Sequence, residues 1–202
     1  MDNIRKEQKN LVEFISCLSI AESQASLLYK NISTKVDNPL VRALLEEVAL
    51  DSQKHSALLK GVSESIASPK ADQKECAKHD VVLQKILKLQ KETAKMQKIT
   101  LEDLFSLNER LQLLEGQMGE EYYVLVQMKT LTFMMKQINQ AYSIDLTSAK
   151  RIFTTIISDE ERHIELLETI KKMASPKPEA RYGPLVKFQN PDAWYQPPAS
   201  TL

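Results

Sequence analysis

Glycine is scarce in this chain, with 4 among 202 residues. Turn punctuation before Ser175 is correspondingly thin, which argues against many short strands and for long helices. Net charge is also absent: 27 Lys plus Arg balance 27 Asp plus Glu. No overall field therefore draws in nucleic acid or an anionic membrane, and neither is expected as a partner. The two cysteines, Cys17 and Cys76, stand far apart and form no C-x-x-C pair; they are compatible with a reducing cytoplasm. No apolar stretch of signal-peptide length precedes Leu11, and Glu13 and Ser16 break the apolar positions up to Ile20. A membrane span is not expected, and the cytoplasm is the expected location.

What is present has a globular balance, 43% hydrophobic and 27% charged, with length for one sizeable core. Helical periodicity predicts long helices over about 3–34, 39–67, 100–141 and 145–174. Asp37-Asn38-Pro39 makes the first tight stop, with Pro39 suited to the opening turn of the next helix. Thr100 followed by Asp103 has the spacing of a cap, and Asp145 can cap the last helix. Between the hairpins, residues 71–98 carry an apolar stripe (Val82, Ile86, Leu89, Met96) on an otherwise Lys-rich stretch, which predicts one partly exposed crossover helix with a solvated face. The fold class is all-α: an antiparallel four-helix bundle over 1–174 with one long crossover carrying an extra helix. Residues 175–202 hold six of the 8 prolines together with Tyr182, Phe188, Trp194 and Tyr195. This is expected to be an extended tail that packs along the bundle or a neighbouring subunit, in a homo-oligomer of two or more copies.

Each helix has an inward seam at three-then-four spacing. The first reads Leu11, Ile15, Leu18, Glu22, Ala25, Tyr29, Ile32. The second reads Val41, Leu45, Val48, Ser52, His55, Leu59, Val62, Ile66. The third reads Leu111, Leu114, Met118, Glu121, Leu125, Met128, Thr132, Met135, and the fourth Ala149, Phe153, Ile156, Glu160, His163, Leu167, Ile170. Each is interrupted by polar residues near its middle. In an antiparallel hairpin, residues equidistant from the turn share a level, which pairs Glu22 with His55 and Glu121 with His163. Glu120 and Glu115 are rivals to Glu121. Several unpaired buried carboxylates cost several kcal/mol each; a metal ion removes that cost because the ligands stay charged and coordinated. Glu22, His55, Glu121, Glu160 and His163 are the expected metal ligands. Their oxygen and imidazole donors suit iron or manganese. His79 has no partner motif and is expected to be solvated, Tyr29 and Tyr122 to be core or hydrogen-bonding residues, and the methionines to fill core space.

Four motifs in order carry a resemblance. Glu22-x-x-Ala25-x-x-x-Tyr29, Glu46-Glu47-Val48-Ala49 with His55, Gly119-Glu120-Glu121-Tyr122 and Glu160-Glu161-Arg162-His163 resemble the four metal-binding helices of rubrerythrin-type, ferritin-like proteins. The resemblance implies a non-haem di-iron centre that reacts with peroxide or dioxygen. Two departures stand out. Ser52 occupies the place of a bridging Glu three residues before the histidine, which predicts unequal sites or a single iron; Asp51 and Asp159 match in the two halves and suit a role supporting the ligands. A rubredoxin-like Cys site is missing, so an external electron-donor protein is expected. The alternative reading is a ferritin-like bundle with a degenerate metal site that serves interaction or assembly, and iron storage is a weaker third.

Overall fold

The computed structural model describes residues 2–68, 71–127 and 146–175. The expected tail beyond Ser175, the second hairpin turn with Asp145, and the seam positions Leu125, Met128, Thr132, Met135 and Ala149 lie outside the residues whose packing is described. Six helices are described: α1 (Asp2–Ser33), α2 (Pro39–Ile66), α3 (Gln73–His79), α4 (Val81–Ala94), α5 (Leu101–Gln127) and α6 (Leu146–Ala174). No strand occurs among the described residues.

The helix boundaries follow from short-range chemistry. Asn38 caps α2, its Oδ1 accepting from the backbone N–H groups of Leu40 at 3.0 Å and Val41 at 3.1 Å, and Pro39 supplies the first turn. At Thr100 the capping box closes in both directions. Asp103 N–H donates to Thr100 Oγ1 at 3.1 Å, and Thr100 N–H donates to Asp103 Oδ2 at 2.9 Å.

The crossover differs from expectation: it is two helices, broken at Asp80. The Asp80 carboxylate accepts from Leu83 N–H at 2.7 Å and so starts α4, while its backbone ends α3. An Asp that can cap its own downstream helix competes with continuing the upstream one. The crossover's far end is fixed by Ile99 N–H donating to Lys35 O at 3.0 Å, beside the first hairpin turn.

α1 packs on α2 and α5 on α6, making two antiparallel hairpins. α2 lies against α6, and α4 packs on α1 and reaches α5. The stripe Val82, Leu83, Ile86 and Leu89 buries α4's inner face, so the crossover is a wall of the core. The seams of α1, α2 and α6 are buried as expected from Ile15 to Ile32, Val41 to Val62 and Phe153 to Ile170. By length and composition alone the stretch Lys9–Ser33 is apolar enough to cross a membrane. In this fold its apolar side chains from Ile15 to Ile32 serve the bundle core, and Glu22 sits among them.

Cys17 and Cys76 correct a further expectation. They form a disulfide between α1 and α3, 59 residues apart in sequence. Such bonds are rare where thiol pools are reducing, so the cysteines lend no support to a cytoplasmic location. Closing a loop of this length should stabilise the fold by about 2–4 kcal/mol. Replacing both cysteines by serine is expected to lower the unfolding free energy by about that amount in denaturant melts, with helix content at low denaturant unchanged.

Candidate metal centre

At mid-height the four long helices turn polar side chains inward. Glu22, His55, Glu115, Glu160 and His163 are all buried, none more than 1% exposed. Ligand atoms of Glu22, His55 and Glu160 lie within 4.8 Å of one another, as do those of Glu115, Glu160 and His163. Glu160 belongs to both triads.

The arrangement is two-fold in character. α1 and α5 each supply a Glu and, seven residues on, a Tyr. The tyrosines reach across: Tyr122 Oη donates to Glu22 Oε1 at 2.6 Å, and Tyr29 Oη donates to Glu115 Oε1. α2 and α6 each supply a histidine preceded by an aspartate four residues earlier, and these also cross. His55 Nε2 donates to Asp159 Oδ2 at 2.9 Å, and His163 Nε2 faces Asp51 Oδ2 at 3.4 Å. Lys54 bridges the aspartates, at 2.7 Å from Asp51 and 2.9 Å from Asp159. Arg162 pairs with Asp51 and lies 3.4 Å from Asp159. An aspartate on Nε2 fixes the ring and turns Nδ1 toward the interior.

The fit to a cation is tested by the polar atoms left over. Glu22 Oε2, His55 Nδ1 and both oxygens of Glu160 are buried without a hydrogen-bond partner. His55 Nδ1 is 3.3 Å from Glu22 Oε1 and 3.1 Å from Glu160 Oε1, close but not aligned to bond. Buried polar groups are otherwise almost always paired. Two orphaned atoms, Glu22 Oε2 and His55 Nδ1, beside a carboxylate whose own two oxygens are orphaned are what a coordinated cation satisfies, and the residues fit one.

Protonation in the metal-free state shows the same strain. Burial pushes Glu22 up and Glu160 well above the ordinary carboxylate range, Glu160 further because Glu22 and Glu115 face it. Burial also pushes Glu115 up, but the hydrogen bond and charge of His163 hold it below its usual value. Burial lowers His55, yet the Glu160 and Glu22 carboxylates outweigh this and lift it to about 10. Burial likewise lowers His163, and Glu115 and Asp51 raise it. Without a metal the centre must hold protons to be neutral.

Four of the five residues expected from sequence therefore meet, and Glu121 does not. It lies in neither triad, lining a cavity with Cys17, Cys76 and Asp80 instead. The seam of α5 runs Leu104, Asn108, Leu111, Glu115, Met118, Tyr122, all buried; the expected Leu111, Leu114 and Met118 are buried too, whereas Glu121, one position before Tyr122, is only half-buried. The signal that finds Glu115 is the repeat: Glu22, Ala25, Tyr29 in α1 has the same spacing as Glu115, Met118, Tyr122 in α5. Ser52, buried at 1% exposure, stands on α2 where symmetry with Glu160 would place a second shared carboxylate.

The fold and this ligand set define a ferritin-like bundle with carboxylate–histidine groups suited to metal. The rubrerythrin family model matches residues 13–171, and the chain belongs to the rubrerythrin family, whose di-iron bundles are metal-binding proteins. No curated protein and no solved structure matches the chain.

Burial, and secondarily Asp80, pushes Glu121 up to about 7. Its folded-state value lies above the unfolded one, so its contribution is fully present below the unfolded value and is lost as pH rises through about 7. Glu121→Gln is thus expected to melt higher than the parent at about pH 8 and no higher at about pH 4, a modest difference because the side chain is partly solvated. Metal binding should be unchanged in Glu121→Gln and weakened in Glu115→Gln at the group that Glu115 shares with Glu160 and His163, as read by titration calorimetry.

Proposed function

We propose that the chain is a non-haem iron oxidoreductase holding two ions at the paired triads and acting on peroxide or dioxygen. The shared carboxylate carries this reading: Glu160 is the one side chain common to both triads, and neither of its oxygens has a partner. One ion would be held by Glu22, His55 and Glu160, the other by Glu115, His163 and Glu160. Oxygen and imidazole donors suit iron and manganese alike, and family membership favours iron.

The protein's own residues prepare the ligands. Tyr122 occupies one oxygen of Glu22, leaving Oε2 directed inward; Tyr29 does the same for Glu115, whose Oε2 lies 2.8 Å from His163 Nδ1. Asp159 and Asp51 hold the histidine rings from outside, and Lys54 and Arg162 neutralise those aspartates. Bound iron would supply the redox steps. Apolar core residues, among them Leu18, Leu59, Leu111 and Ile156, flank the ligands along the helices.

Two divalent ions bring four positive charges against three carboxylates. Ser52 cancels nothing, so the Ser52 side is where an exogenous ligand would bind and where the two sites become unequal. Electrons must come from elsewhere, because the two cysteines are tied to each other; an external electron-donor protein fills that role. A homo-oligomer is part of the proposal, with exposed apolar side chains such as Leu27 and Leu50 available for burial. A cytoplasmic location would require the Cys17–Cys76 bond to persist among reducing thiols. Ser52 also favours the second reading, a bundle whose weakened metal site leaves it an interaction or assembly protein.

Anaerobic titration of metal-free protein with Fe(II) separates the readings. Two ions per chain are expected, with protons released because Glu160 and His55 hold them beforehand, and affinity should therefore rise with pH. Loss of a supporting residue around a metal ligand costs about 10–100-fold in affinity; Glu160→Gln should exceed that at both sites, and His163→Ala should remove one ion. A chain that takes up no iron at any pH is the assembly protein of the second reading.

A further inference from the structure

The two ends of the buried centre differ. Toward the aspartates it is closed by Lys54 and Arg162, both engaged in ion pairs across Asp51 and Asp159. On the side between α5 and α6 a groove of about 380 Å³ runs from the surface to Glu115 and Glu160. Its described lining includes four carboxylates, Glu115, Glu120, Glu160 and Glu161, and no lysine, arginine or histidine. Glu120 and Glu161 are exposed at the mouth, whereas Glu160 is 1% exposed at the floor with both oxygens unpartnered.

Two of the chain's four glycines line this groove, Gly116 and Gly119, in mid-helix. Glycine there costs α5 about 1 kcal/mol per position relative to alanine. Packing does not demand it. A methyl at Gly119 would meet Glu160 Cβ at 3.5 Å and Cγ at 3.9 Å, and one at Gly116 would meet Ile164 Cδ1 at 4.0 Å. These are ordinary contacts, so alanine would fit. What alanine would fill is the space in front of the Glu160 stem.

We infer that the α5–α6 groove is the route by which divalent cations reach the buried ligands, with Glu120 and Glu161 gathering them at the mouth and Gly116 and Gly119 keeping the passage open. The inference rests on the metal-centre reading above. A cleft walled by one sign of charge concentrates counter-ions and accelerates their capture. The ion passes from the mouth carboxylates, between apolar walls that include Val124, Ile157 and Ile164, to Glu160 and Glu115 without meeting a like charge. At the opposite end the carboxylates of Asp51 and Asp159 are already paired with Lys54 and Arg162, so an incoming cation would have to displace an ammonium or guanidinium group.

The test is stopped-flow uptake of Co(II) by the metal-free full-length chain, followed by cobalt absorption, with the endpoint measured by titration. Glu120→Gln/Glu161→Gln should slow uptake roughly tenfold at low ionic strength, with the difference shrinking in high salt and the endpoint unchanged. Gly116→Ala/Gly119→Ala should also load more slowly while melting no lower than the parent. Parental uptake rates in both variants, with parental endpoints, would overturn the route. So would faster loading in Lys54→Met together with unchanged groove variants, which would place the passage at the other end. Failure of the parent to bind cobalt at all overturns the metal centre itself along with its route.

Discussion

Glu160 is the side chain on which the interior of this bundle depends. It is buried at the level where all four long helices meet, faces two further carboxylates, and has no hydrogen-bond donor for either oxygen. A dry protein interior does not tolerate such a group uncompensated, because an unpaired buried charge costs several kcal/mol. The surroundings make the cost local and deliberate. Tyrosines fix the neighbouring carboxylates and aspartates fix the histidines; Glu22 Oε2 and His55 Nδ1 are left unpartnered near Glu160, while Glu115 Oε2 and His163 Nδ1 pair with each other at 2.8 Å. The fold holds the ligands in place before a metal arrives, and metal binding is then coupled to the departure of protons from the same groups.

The division of labour among the helices follows. The α1–α2 and α5–α6 hairpins supply equivalent halves, and the crossover α3–α4 closes the opening beside α1 and α5 instead of contributing ligands. The ties that hold the halves in register are polar and crossed: α1 to α5 through the tyrosines, α2 to α6 through the aspartates. Symmetry is broken at one position. Ser52, buried three residues before His55, holds on α2 the place that Glu160 holds before His163 on α6, and it brings no charge.

Much of this was readable from sequence, and the reasons for the rest are physical. The seams of α1, α2 and α6 were legible because apolar residues on both sides of each polar interruption pinned the phase. In α5, Leu111 and Met118 fit two phases of the same three-four spacing, one continuing through Leu114 and Glu121 and the other through Glu115 and Tyr122, and periodicity alone cannot choose between phases one residue apart. The internal repeat of Glu and Tyr seven residues apart was the missing discriminator. The split of the crossover at Asp80 was hidden because a capping aspartate and a mid-helix aspartate look alike until the partner N–H is located. The Cys17–Cys76 bond carried no spacing signature at all; only the packing of α3 on α1 brings the sulfurs together.

The most direct test of the central claim is anomalous diffraction at the iron edge from crystals grown with Fe(II) under anaerobic conditions. Two peaks flanking the Glu160 carboxylate, one beside His55 and one beside His163, are the predicted result. Iron found only at surface carboxylates, with Glu160 still free of any ion, would contradict it.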